Sequence, residues 1–493
     1  MEEYRDWIIL GCVGAFFGMC IAVGLWAMRR TNSAHDFFMA GRDLGFIVTA
    51  VAVFSSTMSG FGFVGGPGLV YQMGMSSGWM IVCTGLSYTV CFFLLAKRLR
   101  ILAEVRESIS LPDAVQARYG SRAAGFLTAV AILLGVLGYL GTQILAMATV
   151  MKQVLAGVLP IELSLPVCAF ISVGLLVFYC VTGGIIASVY TDLAQGIIMM
   201  IAAVLVFFAI IASVEGGFGG MSETIFQDDK GAMSPWGTKG MFGALSWYFV
   251  FALGIAGQPH VITKFMMSRK VEDARFTLPV TMIGYATTAL LWLGLGMAMR
   301  ALVLQGKHPS LADADDTAAA FLQSYSHPVL AGVVFAGLFA AIMSTADSFL
   351  NIGAAAVVHD IPRALRGESL KNELYWARVA TVAIAVIATV FALFSGDLVA
   401  LLGAFGWGTF AAALVPTVAI GFNWKRATPL AACVAISSSL IINFGLKVSG
   451  VAIPYNIDAG AVALLVSLTL FLTISFVSQP PKLDPDIDAV LDF

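Results

Sequence analysis

Apolar residues fill this chain in long blocks separated by short polar punctuation. Thirteen blocks are long enough to cross a bilayer: 7–28, 44–72, 77–96, 123–157, 163–182, 187–213, 241–263, 276–304, 328–358, 376–395, 397–422, 427–446 and 458–478. About 20 apolar residues make a spanning helix. The pattern therefore predicts an all-α integral membrane protein with about 13 transmembrane helices. One block breaks the rule: inside 328–358 lies Ala341-Ile-Met-Ser-Thr-Ala-Asp-Ser348, with three hydroxyls and a carboxyl where hydrocarbon is expected. Ser344, Asp347 and Ser348 share one helical face, and Ala341, Ser344 and Thr345 another. An ionisable residue at that depth costs at least about 2.5–3.5 kcal/mol on insertion scales, which makes it a functional-site candidate.

Loop charge orients the blocks. Assigning alternate loops to the cytoplasm, starting from Arg29-Arg30, gathers 20 of the 27 Lys and Arg on that side. They cluster at Lys97–Arg122, Lys264–Arg275, Arg363–Arg378 and Lys425-Arg426, whereas Glu215–Gly240 and Gln305–His327 carry acids. The positive-inside rule predicts an N-terminus outside and a C-terminus in the cytoplasm of a cell's inner membrane. An even helix count would spoil this asymmetry. The first block follows acidic residues and precedes a basic pair, so it reads as an uncleaved spanning helix. Residues 479–493, rich in Pro and Asp, read as a short solvated cytoplasmic tail.

Composition agrees, at 59% hydrophobic and 11% charged, with about half the charge of a soluble domain. The seven cysteines show no metal-ligand spacing and read as small core packers. Pro160, Pro166, Pro259, Pro328 and Pro480 fall at or near helix ends.

Two blocks are internally broken. Ser55-Ser-Thr-Met-Ser-Gly-Phe-Gly-Phe-Val-Gly-Gly-Pro-Gly68 cannot make one unbroken lipid-facing helix, and Ala252-Leu-Gly-Ile-Ala-Gly-Gln-Pro-His260 interrupts a second block five spans later. Non-helical backbone at membrane depth must line a cavity or lie buried in protein. Breaks at matching positions of two halves indicate a 5+5 inverted repeat that binds its ligands at the midplane. The expected division is a helix at 7–28, a first repeat at 44–213, a second at 241–422, two helices within 427–478, and the tail. Gly60-Phe-Gly-Phe-Val-Gly65 matches a dinucleotide fingerprint only as text, because no strand or soluble βαβ unit surrounds it.

The chain resembles the sodium:solute symporter family, which includes proline, pantothenate, sialic acid and glucose carriers. The resemblance rests on Asp36-Phe-Phe-Met-Ala-Gly-Arg42, Met58-Ser-Gly60, Gly66-Pro-Gly68, Gly183-Gly184 with Tyr190-Thr-Asp192 and Gln195, Gly257-Gln-Pro-His260 and Met343-Ser-Thr345, in that order. It implies a LeuT-type core of ten helices with flanking helices, coupling sodium entry to solute uptake. It also implies a main sodium site of the carbonyls of Ser55, Met58 and Ala341 with the hydroxyls of Ser344 and Thr345. Five neutral oxygens suit a monovalent ion that must be released. A second site in some members falls on Asp192, Ser344, Asp347 and Ser348. The sialic acid and proline carriers have serine where Asp347 stands, whereas choline-type members carry an acid there.

Several residues fit two roles. Asp347 reads as a cation ligand or a paired interior carboxyl, and Asp192 as a ligand or the cap of a helix beginning near Leu193. Two carboxylates facing one cation would raise one pKa, so a proton could replace a second sodium. His260 reads as a gate or as a structural histidine. Solute-lining candidates are Thr57, Ser59, Tyr139, Gln143, Phe251, Ile255 and Gln258, with Trp247 and Tyr248 beside the second break. The resemblance places Thr57 where the proline carrier has aspartate, which argues against assuming proline.

The expected function is sodium-coupled import of a small organic solute by alternating access, with sodium as the coupling ion, either two ions or one with a proton. The alternatives are proton-coupled symport on the same fold, and a transporter-like channel or sensor. No nucleophile–base pair, metal motif or phosphate loop suggests an enzyme. Expected partners are the solute and membrane lipid, with no nucleic acid and no obligate protein partner. With no charged cluster in the presumed cavity, amino acids, short carboxylates or vitamins such as pantothenate lead.

Overall fold

A computed structural model describes residues 2–31, 33–40, 44–395 and 398–493. Gly41 and Arg42 of the first family motif and the expected boundary at 397 lie outside the described residues. Among the described residues, eleven helical runs are long and apolar enough to span a membrane. Phe61–Val105 divides at the turn Gly74–Ser77, and Leu165–Ser213 divides at Gly184. Phe46–Thr57 joins the helix ending at Met73 as one broken crossing. The described residues thus form thirteen segments of crossing length near the expected places. The described residues are otherwise helical apart from loops and one isolated bridge between Leu44 and Ser268.

Each interruption has a local cause. Gly184 takes φ 55°, ψ −145°, a region that residues with a Cβ avoid. A Cβ there would also lie 2.5 Å from the Phe37 ring. In the first broken helix the chain leaves helical geometry at Met58, with φ −80° and ψ 84°. Gly60 then has no helical partner for its N–H, which donates to Gln143 Oε1 at 2.8 Å. The second broken helix runs Met241–Gly254, makes a tight turn at Ile255–Gly257, passes through Gln258 in extended conformation and resumes at Pro259–Met266. Proline opens the resumed segment, where its missing N–H is harmless.

Helix Pro328–Ala355 forms the centre. Every residue from Val334 to Leu350 is buried, as expected for a helix apolar on all sides but for a polar octet. It packs against Arg5–Met28, Arg122–Ala156, Leu165–Ser213 and the first broken helix. The peripheral helices Pro429–Ser449 and Ala459–Val477 leave much of their surface exposed.

Two expectations are corrected at the presumed inner face. Lys264 is not a loop charge: it lies inside the second broken helix at 1% exposure. The tail is not simply solvated, because Pro485–Leu491 is helical and buries Ile487, Val490 and Leu491. Arg106 pairs with Asp484 at 2.6 Å and Asp486 at 2.5 Å, while Lys425 pairs with Asp488 and Asp492, each at 2.7 Å. Arg100 and Arg118 of these clusters are buried and hold loop carbonyls rather than facing water. Arg118, for example, donates to the carbonyls of Gly421 and Trp424, both at 2.9 Å.

Candidate functional site

The octet meets the first break across the core. Where Phe46–Thr57 ends, the carbonyls of Ser55 and Ser56 lose the helical N–H partners that Ser59 and Gly60 would supply. Side chains from the central helix replace them. Ser344 Oγ donates to the Ser55 carbonyl at 2.9 Å and to the Ala341 carbonyl at 3.0 Å. Thr345 Oγ1 donates to the Ser56 carbonyl at 2.7 Å and to Ala341 at 3.3 Å. Ser55, Ala341, Ser344 and Thr345 are fully buried, and Met58 is 3% exposed at the turn itself. All these oxygens are neutral, and hydroxyls can rotate to present lone pairs. Such a set fits a hard monovalent cation. Four of the five expected ligands are joined directly, and the Ser56 carbonyl is an addition that the sequence reading missed.

Asp347 points to the neighbouring face. Tyr179 Oη donates to Oδ2 at 2.8 Å, and Ser188 Oγ and Ser348 Oγ donate to Oδ1 at 2.7 and 3.3 Å. Ser348 also donates to the Ser344 carbonyl at 3.1 Å. Asp192 lies inside its helix, well past the kink at Gly184, so it is not an N-terminal cap. It forms a fully buried ion pair with Lys264, Nζ to Oδ2 at 2.9 Å. Lys264 also donates to the Ala52 carbonyl at 2.8 Å and to Ser56 Oγ. Ser56 Oγ lies 3.5 Å from Asp192 Oδ2 and 3.4 Å from Ser348 Oγ. The two carboxylates share one polar network, but an ammonium occupies the Asp192 end.

The solute-lining candidates divide. Phe251 stacks on Trp407 at 5.0 Å and on Phe61 at 5.8 Å between ring centroids. Tyr139 meets Trp407, Phe349 and His260 edge-on, and its hydroxyl lies 3.2 Å from Ser59 Oγ. Gln258 Nε2 donates to the carbonyls of Gly254 and Trp407, both at 3.3 Å. Among the described residues Gln258 Oε1 and Trp407 Nε1 have no partner, and buried polar atoms normally have one. Both ring nitrogens of His260, which packs on Tyr139 and Phe349, are also without a partner among the described residues, so these buried atoms are the unpaired polar chemistry of an otherwise aromatic box.

Other candidates have partners of their own. The Gln143 carbonyl oxygen holds Gly60, Thr57 Oγ1 bonds its own helix at Val53, and Ile255 is buried at the tight turn with its N–H bonded to Ser87 Oγ at 3.0 Å. Tyr248 is 41% exposed and edges onto Trp79, and Trp247 takes the Lys239 ammonium over its ring at 3.8 Å. Neither belongs to the box.

Sequence reasoning missed Ser56, Lys264, Tyr179, Ser188, Phe61 and Trp407. Ser188 could have been found as the small hydroxyl one turn before Asp192. Gly406-Trp-Gly408 also carried a signal, an indole between two residues without side chains.

A profile of the sodium:solute symporter family matches residues 37–438. The sodium/proline symporter of Escherichia coli (strain K12) is 30% identical over 425 residues, 84% of this chain and 82% of the relative. The high-affinity proline transporter of Bacillus subtilis (strain 168) is 26% identical over 472 residues, 94% of this chain and 96% of the relative. The solved structure of a Na+-coupled sialic acid symporter has a TM-score of 0.75 at 20% identity, covering 97% of this chain and 99% of that one. A nucleobase-cation-symport-1 family transporter has a TM-score of 0.59 at 13% identity, covering 92% and 98%. These structural likenesses show a LeuT-type transporter fold, as the family resemblance implied. Because the matched stretch runs through both breaks and the polar octet, the chain belongs to the sodium:solute symporter family.

Proposed function

We propose that this multi-pass membrane protein is a sodium-coupled symporter that imports a small organic solute by alternating access. The observation that carries this reading is the bond between Ser344 and the Ser55 carbonyl across the first break. It closes a buried ring of neutral oxygens between the two elements that must separate for the site to open. Sodium seated among Ser55, Met58, Ala341, Ser344 and Thr345 would hold the broken helix to the central helix. That favours one orientation of the carrier, because an ion shifts an equilibrium only through its differential affinity for the two states. The Ser56 carbonyl is available to the same ion.

The solute would sit against Phe251, Trp407, Tyr139 and Ser59, with Gln258 Oε1 accepting a hydrogen bond and Trp407 Nε1 donating one. That chemistry suits an amino acid, a short carboxylate or a vitamin of similar size. Relatives named as proline transporters make proline the first solute to try, and Thr57 is the departure that could redirect the preference. We infer an N-terminus outside and a C-terminus in the cytoplasm from loop charge, in a bacterial-type inner membrane.

Uptake of isotope-labelled solutes by proteoliposomes tests the reading. Accumulation of at least one panel member should follow an inward sodium gradient at fixed pH. Accumulation driven by a proton gradient alone, with sodium without effect, would replace sodium with the proton as coupling ion.

A further inference from the structure

Lys264 is enclosed as an ion is enclosed. Its Nζ meets the Ala52 carbonyl at 2.8 Å, the Ser56 hydroxyl, and Asp192 Oδ2 at 2.9 Å. Two of these groups come from the first broken helix and one from the helix beyond the Gly184 kink, while the lysine itself comes from the second broken helix. A carbonyl, a hydroxyl and a carboxylate converging on one buried point are what a hard cation takes from a protein. Here the cation is tethered, with side-chain exposures of 1% for Lys264 and 0% for Asp192.

Electrostatics favour this occupant over a mobile ion, although Asp192 Oδ1 has no hydrogen-bond partner among the described residues. A carboxylate buried at membrane depth needs a positive partner, and the ammonium supplies it within hydrogen-bond distance. A sodium ion placed on the same carboxylate would face that ammonium at close range in a fully buried setting, where like charges repel strongly. The other half of the expected second site is no freer. Asp347 already accepts from Tyr179, Ser188 and Ser348, and Ser348 reaches the Lys264 network through Ser56.

We propose that the Lys264 ammonium permanently fills the second cation position, so that this chain couples one sodium ion and not two. The proposal rests on the sodium-coupled reading and assigns to a side chain the position that Asp192 would otherwise offer a mobile ion. Lys264 cannot leave, so it carries no net charge across the membrane in a cycle. It also joins both broken helices beside the main cradle, because the Ser56 carbonyl accepts from Thr345 while the Ser56 hydroxyl accepts from Lys264.

The test is saturation binding of radioactive sodium to the purified full-length protein, counted per molecule, with no solute required. Wild type should bind one ion with a Hill coefficient near one. K264Q, which vacates the position but leaves Asp192, should bind a second ion and become cooperative. The double variant D192N/K264Q should return to one ion, and K264R should keep one. Two ions bound by wild type, or one ion bound by a monodisperse K264Q, would overturn the assignment. If K264Q cannot be recovered folded, the wild-type count decides alone. Absence of saturable sodium binding in wild type and every variant would instead remove the sodium-coupled reading itself.

Discussion

Ser344 and Ser55 are 289 positions apart in sequence, yet the serine hydroxyl lies 2.9 Å from the carbonyl oxygen. The contact exists because the helix containing Ser55 stops and leaves that carbonyl without its own turn to bond. Ser344→Ala removes the hydroxyl and should raise the sodium concentration for half-maximal uptake. A buried hydrogen-bonding group is worth about 1–2 kcal/mol, so the increase should be roughly tenfold, with a similar change for Thr345→Ala. Sodium titration of transport reads the effect. Unchanged sodium kinetics in Ser344→Ala would remove it from the ion site.

Asp347 accepts three hydroxyl hydrogen bonds and makes no ion pair among the described residues. Asp347→Asn places an NH2 group against one of those donors. The mismatch should cost about 1–3 kcal/mol and lower the melting temperature while leaving measurable transport. Tyr179→Phe, which removes one donor and leaves the other two, should lower it less. Thermal unfolding followed by size-exclusion fluorescence ranks the two variants, and the reverse ranking would contradict this account.

Gly184→Ala should be among the most damaging single-methyl additions in the chain. The backbone there has φ 55°, ψ −145°, and the added carbon would overlap the Phe37 ring. Backbone strain of this kind costs about 1–3 kcal/mol before the clash is counted. Yield of folded protein and melting temperature should both fall. Gly174→Ala, in the same helix with open space around it, is the control and should have little effect.

Asp315, in the loop between helices Ala274–Leu304 and Pro328–Ala355, accepts the Val399 N–H at 2.8 Å. Burial raises its pKa from 3.8 to about 7, opposed by that hydrogen bond and reinforced by Asp313 and Asp316. A carboxyl harder to ionise in the folded state contributes stability that is complete at low pH and is lost as pH rises through about 7. Wild type should therefore lose melting temperature between about pH 4 and about pH 7, the unfolded and folded pKa values, and level off above that. Asp315→Asn should show a shallower loss over the same range, and parallel profiles would exclude Asp315 as the source.

The sequence by itself determined the elements and singled out the segments that form the candidate site. Thirteen crossings follow from hydropathy, because a helix in hydrocarbon must be long, apolar and internally bonded. The broken helices were legible for the same reason, since Gly, Pro and clustered hydroxyls at depth contradict an unbroken span. Ser344 and Thr345 stood out because helical spacing set their hydroxyls on one face near Ala341. Tertiary structure alone decided who partners whom. Lys264 looked like one of many inner-loop charges, and only the fold turns it inward to Asp192 across 72 positions of sequence. Gln143 looked like a solute ligand, but the break at Gly60 claims its oxygen. Trp407 looked like one more apolar residue until Phe251 stacked on it. Local pattern reports how a segment meets its solvent, whereas the pairing of a buried polar atom depends on which distant segment arrives beside it.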